Sequence, residues 1–467
     1  VAGPVLSFLG RNIMASEFSK RTKGAEVKAA AWLGRHPGSV LTPAAVTTAG
    51  LELGWTATGG ILGGTAAGLC AWYRAHPDSF DRFAAPRMRA WRRRWITYLG
   101  PRWRNALIAC DLFTTNRKTG ELHVPRLVRI RSYSPSVDTL YVKLHPGQHL
   151  RQFEAKLPEL TEALKVERIA IERVKPRVIA LVVERSEPFT EVIEAPEMVY
   201  DSDAIELTNL YVGETEYGGD WRLSALGQHL FVAGATGAGK NSVVNALLRG
   251  LAPLIRDGAV RLWICDPKQM EFAKLAGIAY RYACEEGDCA ELVEEYVADM
   301  QATQRSLADQ GKRKIAPSSV TPLNLLILDE MGALLAYGDA SAARGLKRQL
   351  ALVGSQGRAT GHSMVGLVQE PTKDTVPVRD LFTTRVCLRV TSAAHVDMVL
   401  GENARLRGAL ADEIPNAPET SGIGYVIRQR SRVPIRVRAA YVDDRELEEL
   451  VEFVRAGWRG AELRVVA

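Results

Sequence analysis

Paired cysteines are what this chain most plainly lacks. Its six cysteines (Cys70, Cys110, Cys265, Cys284, Cys289, Cys387) form no CxxC pair, which argues against a zinc ribbon or a disulfide frame and for reduced, cytosolic use. Internal repeats and low-complexity tracts are also missing, which excludes a solenoid or propeller. The chain begins at Val1, and no secretory cleavage pattern opens it. Neither charge sign dominates: the net charge of +7 over 467 residues favours an anionic partner, nucleic acid or a lipid surface, without choosing between them. The apolar share is 46%, enough for more than one core, and the length predicts two or three folded units.

Composition changes along the chain suggest the boundaries. Residues 1–40 are polar and basic (Lys20, Arg21, Lys23, Lys28, Arg35). Residues 41–73 include LELGWTATGGILGGTAAGLCAWY, whose single charge is Glu52. At about 1.5 Å per residue its roughly 21 uncharged residues match a hydrocarbon core of about 30 Å, so a transmembrane helix or a membrane hairpin is expected. A Gly/Ala-rich helix buried in protein gives the same pattern. Gly59, Gly60, Gly63, Gly64 and Gly68 would lay a flat small-residue face on a helix. Residues 74–120 are dense in arginine, with Trp91, Trp95, Tyr98 and Trp103 among them, as expected of a juxtamembrane belt on the cytoplasmic side of a cell membrane. Residues 121–199 read as strand, helix, strand, strand, a small α+β domain. Its charges (Arg126, Arg129, Arg131, Lys143, Lys156, Lys175) are read as a solvated face. Residues 200–440 form the largest unit, and 441–467 a C-terminal helix.

In that largest unit apolar runs alternate with helical stretches: HLFVA, VRLWICD, NLLILDE, SMVGLVQ and TRVCLRV. Such runs predict a parallel sheet covered on both faces, with function at the carboxyl ends of its strands. After HLFVA comes GATGAGKNSVVN. Gly234, Gly239 and Lys240 complete the G-x-x-x-x-G-K pattern, so the loop Gly234, Ala235, Thr236, Gly237, Ala238, Gly239, with Lys240, Asn241 and Ser242, is expected to cradle the phosphates of ATP. Asn241 stands where a Ser or Thr hydroxyl normally holds Mg²⁺. Its side-chain carbonyl is a neutral oxygen ligand, and Mg²⁺ keeps several waters, so Asn241 is expected to serve the metal together with Asp329. NLLILDE ends in Asp329 and Glu330, an acid for the metal shell and an acid to polarise the attacking water. An Asp-Glu pair after a strand also caps helices. Asp266, Lys268 and Glu271 read as a strand end and turn, and His362 as structural.

The order HLFVAGATGAGK, VRLWICDPKQMEFAKL, NLLILDEMGALL, GSQGRATGHSMVGLVQEPTKDTVPVRDLFTTRVCLRV and SGIGYVI resembles the motor domain of the FtsK/SpoIIIE DNA translocases over residues 220–427. The stretch YVKLHPGQHLRQFEAKLPELTEAL is similar to that family's smaller ring-forming domain. The whole looks most like actinobacterial conjugation proteins of the TraB/TraSA type. The resemblance implies an α/β fold: a P-loop NTPase (RecA-like) motor with a central parallel sheet, after a small α+β domain and an N-terminal membrane segment. It also implies a homo-hexameric ring that threads double-stranded DNA and hydrolyses ATP with Mg²⁺ between subunits, for intercellular (conjugative) DNA transfer or for chromosome partitioning. In that setting Gln369 would sense the γ phosphate, and Arg358 or Arg385 would reach into a neighbour's site. The closing RVPIRVRAAYVDD and RELEELVEFVRAGW are too short for the winged helix of site-loading relatives, so a DNA-loading partner protein or pore contacts to phosphates are expected instead. Protein-export ATPases of type VII secretion share the fold but carry several modules, against one here. A nucleotide-binding membrane scaffold without turnover is the blander alternative.

Overall fold

The computed structural model describes residues 37–94, 98, 101–116, 120–336, 340–372, 375–427 and 432–457. The basic segment expected over 1–40 lies outside them up to residue 36, as does Trp95. The chain divides between Ala85 and Pro86 into two units.

The first unit contains helices Pro37–Glu52, Trp55–Ala75 and Pro77–Phe83. The first two helices are separated at Leu53–Gly54, where Gly54 takes φ 82°, and the Trp55 ring lies so close to Gly50 that a Cβ there would come within 2.7 Å. The membrane-spanning expectation is corrected here. Among the described residues no helix is long and apolar enough to cross a membrane. Trp55–Ala75 has 21 residues, but Gly59, Gly60, Gly63, Gly64, Gly68 and three threonines dilute its few large aliphatic side chains, Ile61, Leu62 and Leu69.

The second unit holds a small α+β body and a large α/β body. The small body opens with helices Ala85–Arg92 and Pro101–Ala109 and a two-residue ladder, β1 (Thr114–Thr115) with β2 (Leu122–His123). Four antiparallel strands follow, β3 (Arg126–Ser132), β4 (Val137–Lys143), β5 (Arg168–Lys175) and β6 (Val178–Glu184), in the order β3-β4-β6-β5. Between β4 and β5 the expected helix is two, Leu150–Glu154 and Leu157–Leu164, because Pro158 lacks the N–H a continuous helix would need and fits only a first turn. Tyr98 and Trp103 are buried in this body's core beside Leu107 and Leu140, with the Trp103 indole donating to the Pro125 carbonyl at 3.3 Å. They are packing residues, correcting their placement in a headgroup belt; Trp91 alone of that described set is exposed.

The large body is one ten-stranded sheet. Its strands are β7 (Leu210–Thr215), β8 (Asp220–Leu223), β9 (Leu230–Ala233), β10 (Val260–Cys265), β11 (Arg281–Ala283), β12 (Leu323–Leu328), β13 (His362–Val368), β14 (Thr384–Leu388), β15 (Ile423–Ile427) and β16 (Pro434–Ala439). The order is β11-β10-β12-β13-β9-β14-β15-β16-β7-β8. The first six pair in parallel and the rest antiparallel, so the sheet is mixed where a parallel one was expected. Parallel neighbours need crossover connections, whereas the antiparallel pairs β7–β8 and β15–β16 are joined by short hairpins. β9, β12 and β13 are buried along their whole length, under helices Lys240–Arg256, Glu286–Asp309 and Ala340–Thr360. The register aligns Cys265 with Leu328 and Val368 with Ala233. Asp266, Asp329, Gln369 and Gly234 therefore emerge side by side at one edge of the sheet.

A buried ionic network ties the two bodies. From β5, Arg168 donates Nε to Glu184 at 2.8 Å, a second nitrogen to Glu216, and Nη1 to the Gly408 carbonyl at 2.9 Å. Arg436 on β16 pairs with Glu184 and, at 2.8 Å, with Glu187, and the Arg168 guanidinium lies 5.3 Å from the Tyr425 ring centre. Gly408 has φ 104° and no room for a Cβ, which would lie 2.8 Å from Ala170. This lets the Arg407 carbonyl accept from the Ile171 N–H at 3.2 Å.

Candidate nucleotide site

The loop from Gly234 to Gly239 leaves β9 and turns into helix Lys240–Arg256. It is docked on its neighbours by backbone bonds. The Gly234 N–H donates to Val368 (3.0 Å), the Ala235 N–H to Arg389 (2.8 Å), and the Ala238 carbonyl accepts from Gly422 (3.0 Å). Gly237 and Gly239 take φ 75° and 86°, and at Gly239 a Cβ would stand 2.4 Å from the Gly422 nitrogen. Only glycine meets both demands. The first helical turn then presents N–H groups without intrahelical acceptors, a site for anions. Lys240 folds back over the loop, its Nζ donating to the Gly234 carbonyl at 3.0 Å. Burial pushes its ammonium below the usual lysine range, against the opposing pull of Glu330 and Asp329.

Beside the loop is a cleft of about 350 Å³ lined by Lys240, Asn241, Lys268, Asp329, Glu330 and Gln369, among others. Asp329 is only 4% exposed. Its desolvation, with Asp266 and Glu330 nearby, raises its pKa to about 6. Glu330 follows with φ 52°, a backbone conformation that costs a non-glycine residue free energy and recurs at functional sites. Its Oε1 accepts from the Gln369 N–H at 3.3 Å, and its Oε2 from Lys268 at 3.3 Å. The Gln369 side chain in turn accepts from the Thr236 hydroxyl at 3.2 Å, so one residue, through its side chain and its backbone N–H, links the phosphate loop to Glu330.

The donor set fits Mg²⁺. The Asn241 Oδ1 is buried without a hydrogen-bond partner and faces the same cleft as Asp329. Two oxygen ligands, with phosphate and water completing the shell, are the usual protein share for this ion.

Arg358 and Arg385 do not line this cleft. Arg358 donates to the Gly227 carbonyl at 2.8 Å, and Arg385 to Phe382 at 3.1 Å and Asp380 at 3.4 Å. Sequence reasoning missed several lining groups. Lys268 and Glu271, read as parts of a turn, border the cleft, as do Asn245, Ser421 and Tyr441. Arg389 secures the loop from β14 through a bond to the Thr236 carbonyl at 2.5 Å. The available signal was the position of DPKQME directly after an apolar run, the same placement that marks Asp329. His362 is structural: it is fully buried, with Nε2 at 2.9 Å from Asp299.

Residues 205–412 match the model of the FtsK/SpoIIIE family. This stretch, a little under half of the chain, is similar to that family's domain. The chain is 24% identical over 250 residues to the DNA translocase FtsK of Lactiplantibacillus plantarum, covering 49% of this chain and 29% of that protein. It is also 24% identical over 354 residues to the DNA translocase FtsK of Halalkalibacterium halodurans, covering 69% and 42%. The chain thus spans well under half the length of these relatives. Among solved structures, the pCW3 conjugation coupling protein TcpA, a monomer form with ATPγS, is 18% identical, with a TM-score of 0.47 over 75% of this chain and 98% of that one.

Proposed function

We propose that the protein is an ATP-driven translocase of double-stranded DNA, working as a homo-hexameric ring at the cell membrane in conjugative transfer between cells. The observation that carries this reading is the convergence of Lys240, Asp329, Glu330 and Gln369 on one cleft beside a phosphate loop, within a domain of a translocase family. Lys240 exchanges the Gly234 carbonyl for the β and γ phosphates. Asn241 and Asp329 would hold Mg²⁺, which would supply charge to offset that of the phosphates. Glu330 takes the proton of the attacking water, and Gln369 reports the γ phosphate to the loop through Thr236. Arg358 or Arg385 serves the site of the next subunit, where such a group is worth roughly 10³ to 10⁵ in rate. Membrane attachment needs no spanning helix: exposed Leu51, Leu53, Trp55, Ile61 and Leu62 of the first unit supply apolar anchors at a bilayer surface, with the motor on the cytoplasmic face. A partner protein supplies sequence-specific loading.

The test is the ATPase rate with and without linear duplex DNA at two salt concentrations. Stimulation that fades as salt rises is expected of phosphate-dominated binding. An ATPase indifferent to every duplex would overturn the reading and point to protein cargo.

A further inference from the structure

One end of the small body gathers cations. Arg126, Lys143 and Lys175 stand near one register level across the sheet, since Arg126 pairs with Lys143, Lys143 with Val178, and Val178 with Lys175. Beside them a groove of about 680 Å³ is lined by Arg151, Arg173, Lys175 and Arg177. All six cations are exposed. No carboxylate lines the groove. None of the six forms an ion pair among the described residues, whereas exposed cations elsewhere do, such as Lys156 with Glu159, Arg222 with Asp220, and Lys274 with Glu448. A merely solvated face normally interleaves both signs, because uncompensated like charges repel. Six unpaired cations converging on one edge are a standing electrostatic cost that an anionic ligand would relieve.

We propose that this edge, Arg126, Lys143, Arg151, Arg173, Lys175 and Arg177, is a contact for the phosphate backbone of duplex DNA, separate from the motor body. The proposal rests on the DNA reading above and adds the small body to it. The spacing favours a polyanion over a single ion. From β3 to β5 are three strand intervals of about 4.8 Å, so the cation row is about 14 Å long. A DNA strand carries one phosphate per about 3.4 Å of axis, so the row faces about four of them. Long, flexible lysine and arginine stems suit backbone contacts that carry no sequence information.

The test measures binding of the full chain to a fluorescent duplex, with ATPγS, at several salt concentrations from about 50 mM to about 200 mM. In Arg151→Gln/Arg173→Gln/Lys175→Gln, the slope of log K against log salt should become shallower by about 2 to 3, one unit or slightly less per lost phosphate contact. Affinity should fall at least tenfold at the low-salt end, while ATPase activity without DNA stays at the wild-type level. Arg126→Gln/Lys143→Gln, on two other strands, provides an independent second variant should the first lose its thermal midpoint. Wild-type slope and affinity in both variants would overturn the proposal. So would a change in oligomer mass at unchanged slope, which makes the edge a contact between copies, or loss of binding to phosphatidylserine vesicles alone, which makes it a lipid contact. A wild-type chain that binds no duplex at all defeats the DNA reading itself, and that result is seen before any variant is made.

Discussion

Two of the places where the chain buries charge handle it in opposite ways. At the junction of the two bodies each nitrogen of Arg168 has an acceptor: Glu184, Glu216 and the Gly408 carbonyl. Burial alone would lower its pKa, but Glu216 and Glu184 more than offset that and hold it well above the ordinary arginine value. In the nucleotide cleft the Asn241 and Asn245 Oδ1 atoms are buried with no partner, and Asp329 is held part-way to neutrality. Native proteins seldom leave buried polar atoms unmatched. The Arg168 contacts tie the scaffold together, although the Arg436 Nε beside them has no partner, whereas the unmatched oxygens of the cleft line a space open to a ligand. The same distinction separates the two arginine groups: Arg168 and Arg436 are spent internally, whereas the cations on the far edge of the small body are not.

The largest effect expected is in the cleft. Glu330→Gln preserves size and the bond from the Gln369 N–H but removes the base, so turnover should fall by on the order of 10² to 10⁴ with ATP binding kept. Lys240→Ala should weaken nucleotide binding itself. Measuring both by single-turnover hydrolysis and nucleotide titration separates the roles; normal turnover in Glu330→Gln would remove Glu330 from the chemistry.

Next comes a pair of substitutions with opposite signs. Arg168→Ala leaves Glu216 without an ion-pair partner among the described residues and Glu184 with Arg436 alone, and should cost about 3 to 5 kcal/mol, the usual result of halving a buried ion pair, read as a shift in denaturation midpoint. Asp329→Asn removes an unpaired desolvated carboxylate and should instead stabilise the nucleotide-free protein at pH 8 while abolishing its Mg²⁺-dependent gain. Destabilisation in both would erase the contrast between scaffold and ligand site.

How much of this contrast is legible in the sequence depends on distance along the chain. The phosphate loop, the Asp329–Glu330 strand end and the alternation of strands with helices are local patterns, and the carboxyl-edge rule brings their residues together. The partners that finish the site are not local. Lys268 meets Glu330 across 62 residues, Arg389 reaches Thr236 across 153, and Arg436 finds Glu184 across 252. No spacing rule connects such pairs without the sheet order. Trp103 and Tyr98 misled because an aromatic among arginines has the same composition in a headgroup belt as in a helix whose other face is a core. The glycine-rich run has the length and the lack of charge of a membrane span but not its hydrophobicity.

Asp329 also gives the comparison a pH axis. Its folded pKa is about 6, against about 3.9 for a free aspartate. Between these values the folded state holds more protons than the unfolded one, so stability of the nucleotide-free protein should fall as pH rises from about 4 to about 6 and level off above. A rise of about two pH units amounts to on the order of 3 kcal/mol. Affinity for Mg²⁺ with nucleotide should rise over the same window, because the ion needs the carboxylate. Thermal midpoints and Mg²⁺ titrations from pH 5 to pH 8 check both, and Asp329→Asn should flatten both curves.

The smallest effect expected is at Asn241, where the ligand reading can be sharpened most. An orphan Oδ1 at the head of the helix is either a defect or a metal ligand in waiting, and the two differ in how the site answers Asn241→Ser. A serine hydroxyl is shorter and reaches the ion from closer to the backbone, so the half-saturating Mg²⁺ concentration should drop by about threefold to tenfold, worth about 0.7 to 1.4 kcal/mol, with little change in maximal rate. Asn241→Ala should raise the Mg²⁺ requirement by a comparable factor, since water takes the vacant position, and should leave affinity for nucleotide without metal unaltered. If Asn241→Ala and the wild type require the same Mg²⁺ concentration, the Asn241 carbonyl serves no metal. If only Asn241→Ser turns over at saturating Mg²⁺ and DNA, the natural site binds nucleotide without using it.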